Sequence, residues 1–190
     1  MKLAALLFLA MMFLASQPST AIAQRDYFTP EEIELIREAQ EIHKRIDVLT
    51  IAIDRRFAAL GLAVGAAVIK PKEAEKWGVL PKSSRFELLL DIKRILRKAV
   101  DDIDSLAERP DSAILPDPED KKAKKPAELF PLAVRNLAAA ARRYGPVLKA
   151  ELDKDNAGSE KGSILDSLEM CDEIIAAVAK LPPEVKKSKN

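Results

Sequence analysis

Three acidic residues in the middle of the chain have the spacing best suited to binding a metal ion. Asp101, Asp104 and Glu108 follow an i, i+3, i+7 pattern, which places them on one face of a helix. Carboxylate oxygens in such a row are ligands that hard divalent cations prefer. Their basic neighbours Arg97 and Lys98 favour a solvated, ion-paired helix surface instead. The sequence therefore gives a metal-site hypothesis whose preferred alternative is a charged surface.

The single cysteine and the single histidine offer a second kind of chemistry. Cys171 falls on an apolar stripe, where a cysteine is typically a small buried hydrophobic residue. The alternative for Cys171 is an intermolecular disulfide in an oxidising compartment. His43 lacks the Glu-x-x-His pattern of di-iron bundles, because position 40 is Gln40. A Cys–His nucleophile pair would need an orienting group and an open cleft, and no motif marks either.

Further motifs concern interaction rather than catalysis. Trp77 lies in a predicted connection, where it either covers one end of the fold or anchors a partner. Gly61 and Gly65 have the spacing that lets helices approach closely, within the uncharged stretch 57–69. We interpret this stretch as a packed helix end, and its alternative is an apolar contact surface. Because the familiar catalytic, phosphate-binding and haem motifs are missing, we expect no cofactor and disfavour an enzyme.

The first 23 residues have the layout of a secretory signal peptide. Lys2 precedes a 13-residue apolar run that ends at Ala15, and Ala21-Ile22-Ala23 forms a small-x-small cleavage site. The apolar run is too short to cross a bilayer as a helix. We therefore predict cleavage after Ala23 and export to the periplasm or the exterior, with a bacterial source favoured and an uncleaved anchor as the alternative.

Composition narrows the class of partner. Of 31 Lys and Arg, one precedes residue 24, so the mature chain carries 30 basic and 30 acidic residues. This balance disfavours a strongly electrostatic partner such as nucleic acid or an anionic membrane. Few aromatic residues and many Ala, Leu, Glu and Lys favour helix. We expect an unidentified protein partner or self-association, no transmembrane helix in the mature chain, and membrane-surface contact as an open option.

Hydrophobic periodicity predicts four amphipathic helices. The first is long, about 30–68, and bends near Gly61 or Gly65 if it bends at all. The second follows Ser83 or Ser84 and runs to about 107. The third covers about 127–153 with a kink or break at Gly145-Pro146, and the fourth begins near Ser163 and ends before Pro182. The apolar spacing favours coiled-coil-like packing of these helices.

The predicted first helix begins with a capping signature. Phe28-Thr29-Pro30-Glu31-Glu32 supplies a capping threonine, a proline at the first helical position and a glutamate three residues after the cap. Residues 28–40 resemble the openings of small exported bacterial helical proteins. They are also similar to the Leu-Thr-x-x-Gln motifs of periplasmic stress chaperones of the Spy and CpxP type, although Phe28 replaces Leu and Glu32 replaces Gln. No functional residue follows from this resemblance.

Together these observations predict an all-α protein, an up-and-down helix bundle of about four helices. Its organisation is a signal peptide (1–23), one bundle domain (24–181) with a loop at about 109–126, and a polar tail (182–190). The preferred function is a non-enzymatic binding or envelope-associated role. The alternatives are a chaperone-like or membrane-proximal protein that uses 57–69, and a metal-binding protein that uses the acidic helix face.

Overall fold

Helices and the loops that join them make up the part of the chain that the structure describes. The computed structural model describes residues 26–65, 71–109, 126–154 and 158–183, without the side chains of 71–72 and 126–127. Five helices pack against each other: α1 (Pro30–Glu38), α2 (Ile42–Ala59), α3 (Arg85–Glu108), α4 (Pro126–Leu152) and α5 (Glu160–Ala177). Within the described ranges there is no strand. The predicted all-α class is therefore confirmed.

Shorter turns complete the described chain. A helical turn (Pro71–Ala74) and a 3-10 turn (Glu75–Trp77) lie between α2 and α3, and a second 3-10 turn (Val178–Lys180) follows α5. The predicted signal peptide, the middle of the predicted loop 109–126 and most of the tail 182–190 lie outside the described residues. None of the described helices is long and apolar enough to cross a membrane.

The prediction of one long first helix over 30–68 is wrong. The chain leaves the helix after Glu38, passes through three non-helical residues and enters α2 at Ile42. α2 ends at Ala59, where the N–H of Leu62 donates to the carbonyl of Phe57 at 2.9 Å in a Schellman-type ending. The spacing of apolar residues indicates which face of a segment is buried. The same spacing continues through the three non-helical residues between α1 and α2. The spacing therefore could not show where the helix stops.

The predicted starts of the first two helices, after Thr29 and after Ser83 or Ser84, are confirmed, and each has a capping box. At α1 the hydroxyl of Thr29 accepts from the N–H of Glu32 at 3.3 Å, and the Glu32 carboxylate accepts from the N–H of Thr29 at 3.0 Å. At α3 the hydroxyl of Ser84 and the carboxylate of Glu87 make the same exchange at 3.3 and 2.9 Å. Each box satisfies two backbone donors that a helix start would otherwise leave open.

The predicted interruption of the third helix at Gly145-Pro146 is not observed as a break. α4 runs unbroken from Pro126 to Leu152 with Pro131 and Pro146 inside it. Tyr144 and Leu148, on either side of Pro146, are both 0% exposed. Burial of each such side chain contributes roughly 1.5–3 kcal/mol, which offsets the roughly 3 kcal/mol that an internal proline costs.

The long helices alternate in direction along the chain, but their neighbours are not those of the simplest up-and-down bundle. α2 packs on α3 and α4, and α5 packs on α3 and α4, whereas α3 and α4 touch sparsely. Asp47 and Asp54 of α2 reach Asn136 and Arg143 of α4, so α2 and α4 run parallel. Ion pairs of Arg85 with Glu160 and of Lys93 with Asp166 make α3 and α5 parallel as well. Sequential neighbours α3 and α4 therefore lie nearly diagonally.

The predicted apolar stripes form one core between these helices. Their central members are at most 1% exposed, and they are Ile46, Leu49, Ile53, Phe57, Leu89, Ile92, Leu96, Leu137, Tyr144 and Leu148. α1 contacts α2 and the 3-10 turn Glu75–Trp77 but belongs to no other helix pair among the described residues. The core thus fixes the four long helices, and α1 depends on α2 for its position.

Candidate ligand-binding surface on α3

An apolar groove opens where the end of α3 meets the start of α4 and the end of α5. Its volume is about 370 Å³. The apolar part of its wall consists of Val100, Ile103, Phe130, Val134, Leu137, Ile174, Ala177 and Leu181. Three exposed charged residues, Asp104, Glu173 and Lys180, complete the wall. An open cavity with this lining is suited to an apolar ligand whose polar end stays at the rim.

A second cavity, of about 420 Å³, lies on the outer side of α3 beside Tyr27. We call it the basic cleft, and its lining residues are Tyr27, Lys93, Arg94, Arg97, Lys98 and Asp101. The Lys93 ammonium pairs with Asp166 at 2.5 Å, and the Lys98 ammonium pairs with Asp102 at 3.0 Å. The guanidinium carbon of Arg94 lies 5.9 Å from the centre of the Tyr27 ring. The lining of the cleft therefore carries four basic residues and one acidic residue, and acidic partners outside the lining pair with both lysines.

Local conditions keep the Tyr27 hydroxyl protonated. Burial raises the pKa of Tyr27, and the neighbouring Asp26 raises it further, while Arg94 acts in the opposite direction. The backbone carbonyl of Tyr27 accepts a hydrogen bond from Arg56 at 2.6 Å, which fixes this segment on α2. The phenol is thus a positioned hydrogen-bond donor at the edge of the basic cleft.

A buried ionic cluster holds α1 and the N-terminal segment on α2. The Nε of Arg55 donates to Oε1 of Glu32 at 3.0 Å, and Nη1 of Arg56 donates to the same oxygen. The side chains of Glu32, Arg55 and Arg56 are 0%, 8% and 1% exposed. Buried charges of this kind require partners, and these three supply them to one another. The cluster is therefore a structural clamp.

The same clamp fixes the loop before α3. Arg55 donates to the carbonyls of Gly78 at 3.4 Å and Val79 at 2.5 Å, and its guanidinium carbon lies 5.6 Å from the centre of the Trp77 ring. Trp77 is 5% exposed, so it covers the fold and presents little surface to a partner. Val79 is 77% exposed at the tip of the loop.

A second ionic contact joins α2 to α4. Arg143 donates to both carboxylate oxygens of Asp54, at 3.0 and 3.2 Å, and to the carbonyl of Val64 at 3.2 Å. The hydroxyl of Tyr144 donates to the carbonyl of Thr50 at 3.0 Å. Burial, reinforced by the charge of Asp54, raises the pKa of Tyr144 well above its ordinary value. Asp54, Arg143 and Tyr144 line neither cavity, so their contacts hold α2 against α4.

The structure directs the proposed metal ligands to solvent. Asp101, Asp104 and Glu108 are all exposed. Asp101 lines the basic cleft, while Asp104 borders the apolar groove. Among the residues that the structure describes, no three His, Cys, Asp or Glu side chains gather as metal ligands would. The acidic row therefore fits the charged-surface interpretation.

Cys171 and His43 are not brought together. Cys171 is 1% exposed in α5, and burial raises the pKa of its thiol to about 12. His43 is half-buried at the start of α2, with Nδ1 3.9 Å from a carboxylate oxygen of Glu41. Within the described ranges, α2 and α5 make no close contact. An intermolecular disulfide through Cys171 would require the core to open.

Gly61 and Gly65 do not pack two helices together, which corrects that interpretation of 57–69. Both follow the end of α2 with positive φ, 73° and 59°, and both are exposed. A Cβ at either position would meet nothing within 4 Å. These glycines serve chain reversal, since the left-handed region favours glycine. Phe57 and Val64 lie in the core, and residues 66–69 lie outside the described residues.

Sequence reasoning missed the apolar groove, the basic cleft and the buried clamp. For the clamp a signal was present. Arg56 stands at i+3 from Ile53 and i+7 from Leu49, on the buried face of α2. A charged residue on an apolar face indicates a buried ionic partner. No residue pattern in the sequence indicates the groove, because the groove forms only where the ends of α3 and α5 meet the start of α4.

No family model, curated protein or solved structure matches this chain. The similarity of residues 28–40 to periplasmic stress chaperones accordingly stays a prediction.

Proposed function

We propose that this protein is an exported, non-enzymatic helical bundle that binds the hydrocarbon chain of an amphiphile in the apolar groove. The observation that carries this proposal is the groove itself. Its volume of about 370 Å³ falls within the range of about 300–1,000 Å³ typical of small-molecule sites. Burying a chain there gains roughly 0.8 kcal/mol for each methylene removed from water.

The lining favours a hydrocarbon chain over a peptide. An extended peptide brings backbone N–H and C=O groups that need partners once they are buried. The side chains that line the groove offer charged groups only at Asp104, Glu173 and Lys180, all of them exposed. A hydrocarbon chain has no polar groups to satisfy. Its headgroup would remain at the rim.

Export supports this ligand class. The pattern of residues 1–23 predicts a signal peptide removed after Ala23, and the envelope to which it directs the chain is rich in amphiphiles. The alternating directions of α2 to α5 fit an up-and-down bundle with a diagonal step. A chaperone-like or membrane-proximal role through 57–69 has less support, because Phe57 and Val64 pack inside the bundle.

A displacement assay tests the proposal on the purified protein. The neutral fluorophore N-phenyl-1-naphthylamine occupies the groove, and the neutral single-chain lipid 1-dodecanoylglycerol displaces it. Ala177→Trp fills the groove from α5, whereas Ala176→Trp places the same side chain at an exposed position outside the lining. We expect saturable binding by the wild type and A176W, and at least about a tenfold loss of affinity in A177W.

Absence of saturable binding in the wild type, or equal affinities of the two tryptophan variants, would overturn the assignment of the groove. Circular dichroism spectra of both variants verify that each retains the helical fold.

A further inference from the structure

We propose that the amphiphile carries an anionic headgroup, a carboxylate or a phosphate monoester, held by Arg94 and Arg97 of the basic cleft. This inference rests on the proposed binding of a hydrocarbon chain in the groove, and it specifies the class of ligand. The two cavities lie on the same helix, and each supplies what the other lacks.

The charge arithmetic of the cleft leaves two cations for a ligand. Lys93 and Lys98 are already neutralised by acidic partners at 2.5 and 3.0 Å. Among the described residues, Arg94 and Arg97 form no ion pair within 4 Å. Two nearby acids, Asp101 in the lining and Asp26 beside Tyr27, offset much of their charge. The cleft thus suits a single anionic group rather than a polyanion.

The register of α3 places one residue of the cleft next to one residue of the groove. Lys93, Arg97, Val100 and Asp104 follow the spacing i, i+4, i+7, i+11, so they share one face of the helix. Arg97 lines the cleft and Val100 lines the groove, three residues further on. The helical rise between them is roughly 4.5 Å. A headgroup at Arg97 would therefore place the first methylenes of its chain beside Val100.

The donors of the cleft match the acceptors of such a headgroup. A guanidinium presents paired N–H groups that fit two oxygens of a carboxylate or phosphate. The phenol of Tyr27 adds one O–H donor, and its backbone is held by Arg56. The ring of Tyr27 also lies against Arg94, which limits the positions that this arginine can take. The headgroup site is therefore partly organised before a ligand arrives.

Acidic residues at the groove disfavour one position of the headgroup. Asp104 lies one helical turn beyond Val100, and Glu173 borders the same groove from α5. Both carboxylates repel an anion, so the headgroup is disfavoured at that end of the groove. Lys180 in the same wall offsets part of this repulsion, so the two arginines of the cleft supply the larger attraction for the headgroup.

The test compares two probes of equal chain length below their critical micelle concentrations. Dodecyl phosphate is anionic, and 1-dodecanoylglycerol is neutral. Both compete with N-phenyl-1-naphthylamine for the wild type, for Arg94→Gln/Arg97→Gln, and for the matched control Arg142→Gln/Lys149→Gln. The control removes two exposed cations from α4 that line neither cavity.

We expect the wild type and the control to bind dodecyl phosphate about tenfold more tightly than the neutral lipid. The preference should shrink as salt is raised from 50 to 300 mM. R94Q/R97Q should bind both probes with the affinity of the wild type for the neutral lipid. Equal binding of both probes by the wild type, or an unchanged preference in R94Q/R97Q, would overturn the headgroup assignment alone. Failure of both probes to bind would overturn the proposed function.

Discussion

Replacing Glu32 by glutamine tests whether the buried clamp holds α1 on the bundle. In the native protein the Glu32 carboxylate accepts from Arg55, from Arg56 and from the N–H of Thr29. In Glu32→Gln the amide oxygen can still accept from the arginines, but without a charge. The amide N–H₂ then faces the backbone N–H of Thr29, and two donors cannot form the hydrogen bond that Glu32 accepts from this N–H in the native protein. Two buried guanidinium groups are left without a counter-ion.

The expected cost follows from these contacts. Hydrogen bonds to charged groups contribute about 1.5–3 kcal/mol each, and removing one partner of a buried ion pair costs about 3–5 kcal/mol. We therefore expect the free energy of unfolding to fall by about 4 kcal/mol in E32Q. The free energy of unfolding of a domain of this kind is roughly 5–15 kcal/mol, so the expected loss is a large share of it.

The chain offers a matched control and a local probe. Glu34 pairs with Arg37 on the exposed face of the same helix, with side chains 62% and 69% exposed, so Glu34→Gln should cost less than about 1 kcal/mol. Trp77 is the single tryptophan and lies under Arg55, so its fluorescence reports on the clamp. Circular dichroism at 222 nm reports on all helices.

Urea titration of both variants gives the decisive measurement. In E32Q the Trp77 emission should shift at a lower urea concentration than the loss of helix, because α1 contacts only α2 and the turn at Trp77 among the described elements. The wild type and E34Q should show coincident transitions. A loss in E32Q no greater than in E34Q would refute the clamp.

Three further predictions concern other buried groups. Burial opposes ionisation of Glu151, but Lys154 and Arg85 hold its pKa below the ordinary 4.5. The ionised Glu151 therefore adds to the free energy of unfolding above pH 4.5, and this contribution is lost as the pH falls through the lowered pKa. The thermal midpoint should therefore fall less steeply below that pH in Glu151→Gln than in wild type; parallel acid limbs would contradict this. The Cys171 thiol, with a pKa of about 12, should react with a disulfide reagent at pH 8 at least about a hundredfold more slowly in the folded than in the unfolded protein. A Cys171-dependent dimer on non-reducing electrophoresis would count against its burial. Tyr144→Phe should lower the free energy of unfolding by about 1 kcal/mol in urea, through loss of the 3.0 Å bond to the Thr50 carbonyl; an unchanged midpoint would show that this bond contributes nothing.

Local signals in the sequence predicted most of the helices. The capping signature at Thr29 predicted the start of α1, and Ser83 and Ser84 predicted the start of α3, since a cap and its partner lie within one turn. The sequence also predicted burial of Cys171 from its place on the stripe of α5. Of the kink or break predicted at Gly145-Pro146, the break is not observed, because propensity is local, whereas burial of Tyr144 and Leu148 is not.

What the sequence determined by itself is therefore the helical class, the buried faces and several helix starts. These depend on contacts within a few residues, where side-chain type and spacing suffice. Only the tertiary structure decided that Glu32 meets two arginines more than 20 residues away, that α3 lies beside α5, and that the groove and the basic cleft both border α3. Such arrangements depend on which helix ends meet, and an amphipathic stripe is compatible with several neighbours. The physical reason is that hydrophobic burial is non-directional, so it brings helices together without specifying their order.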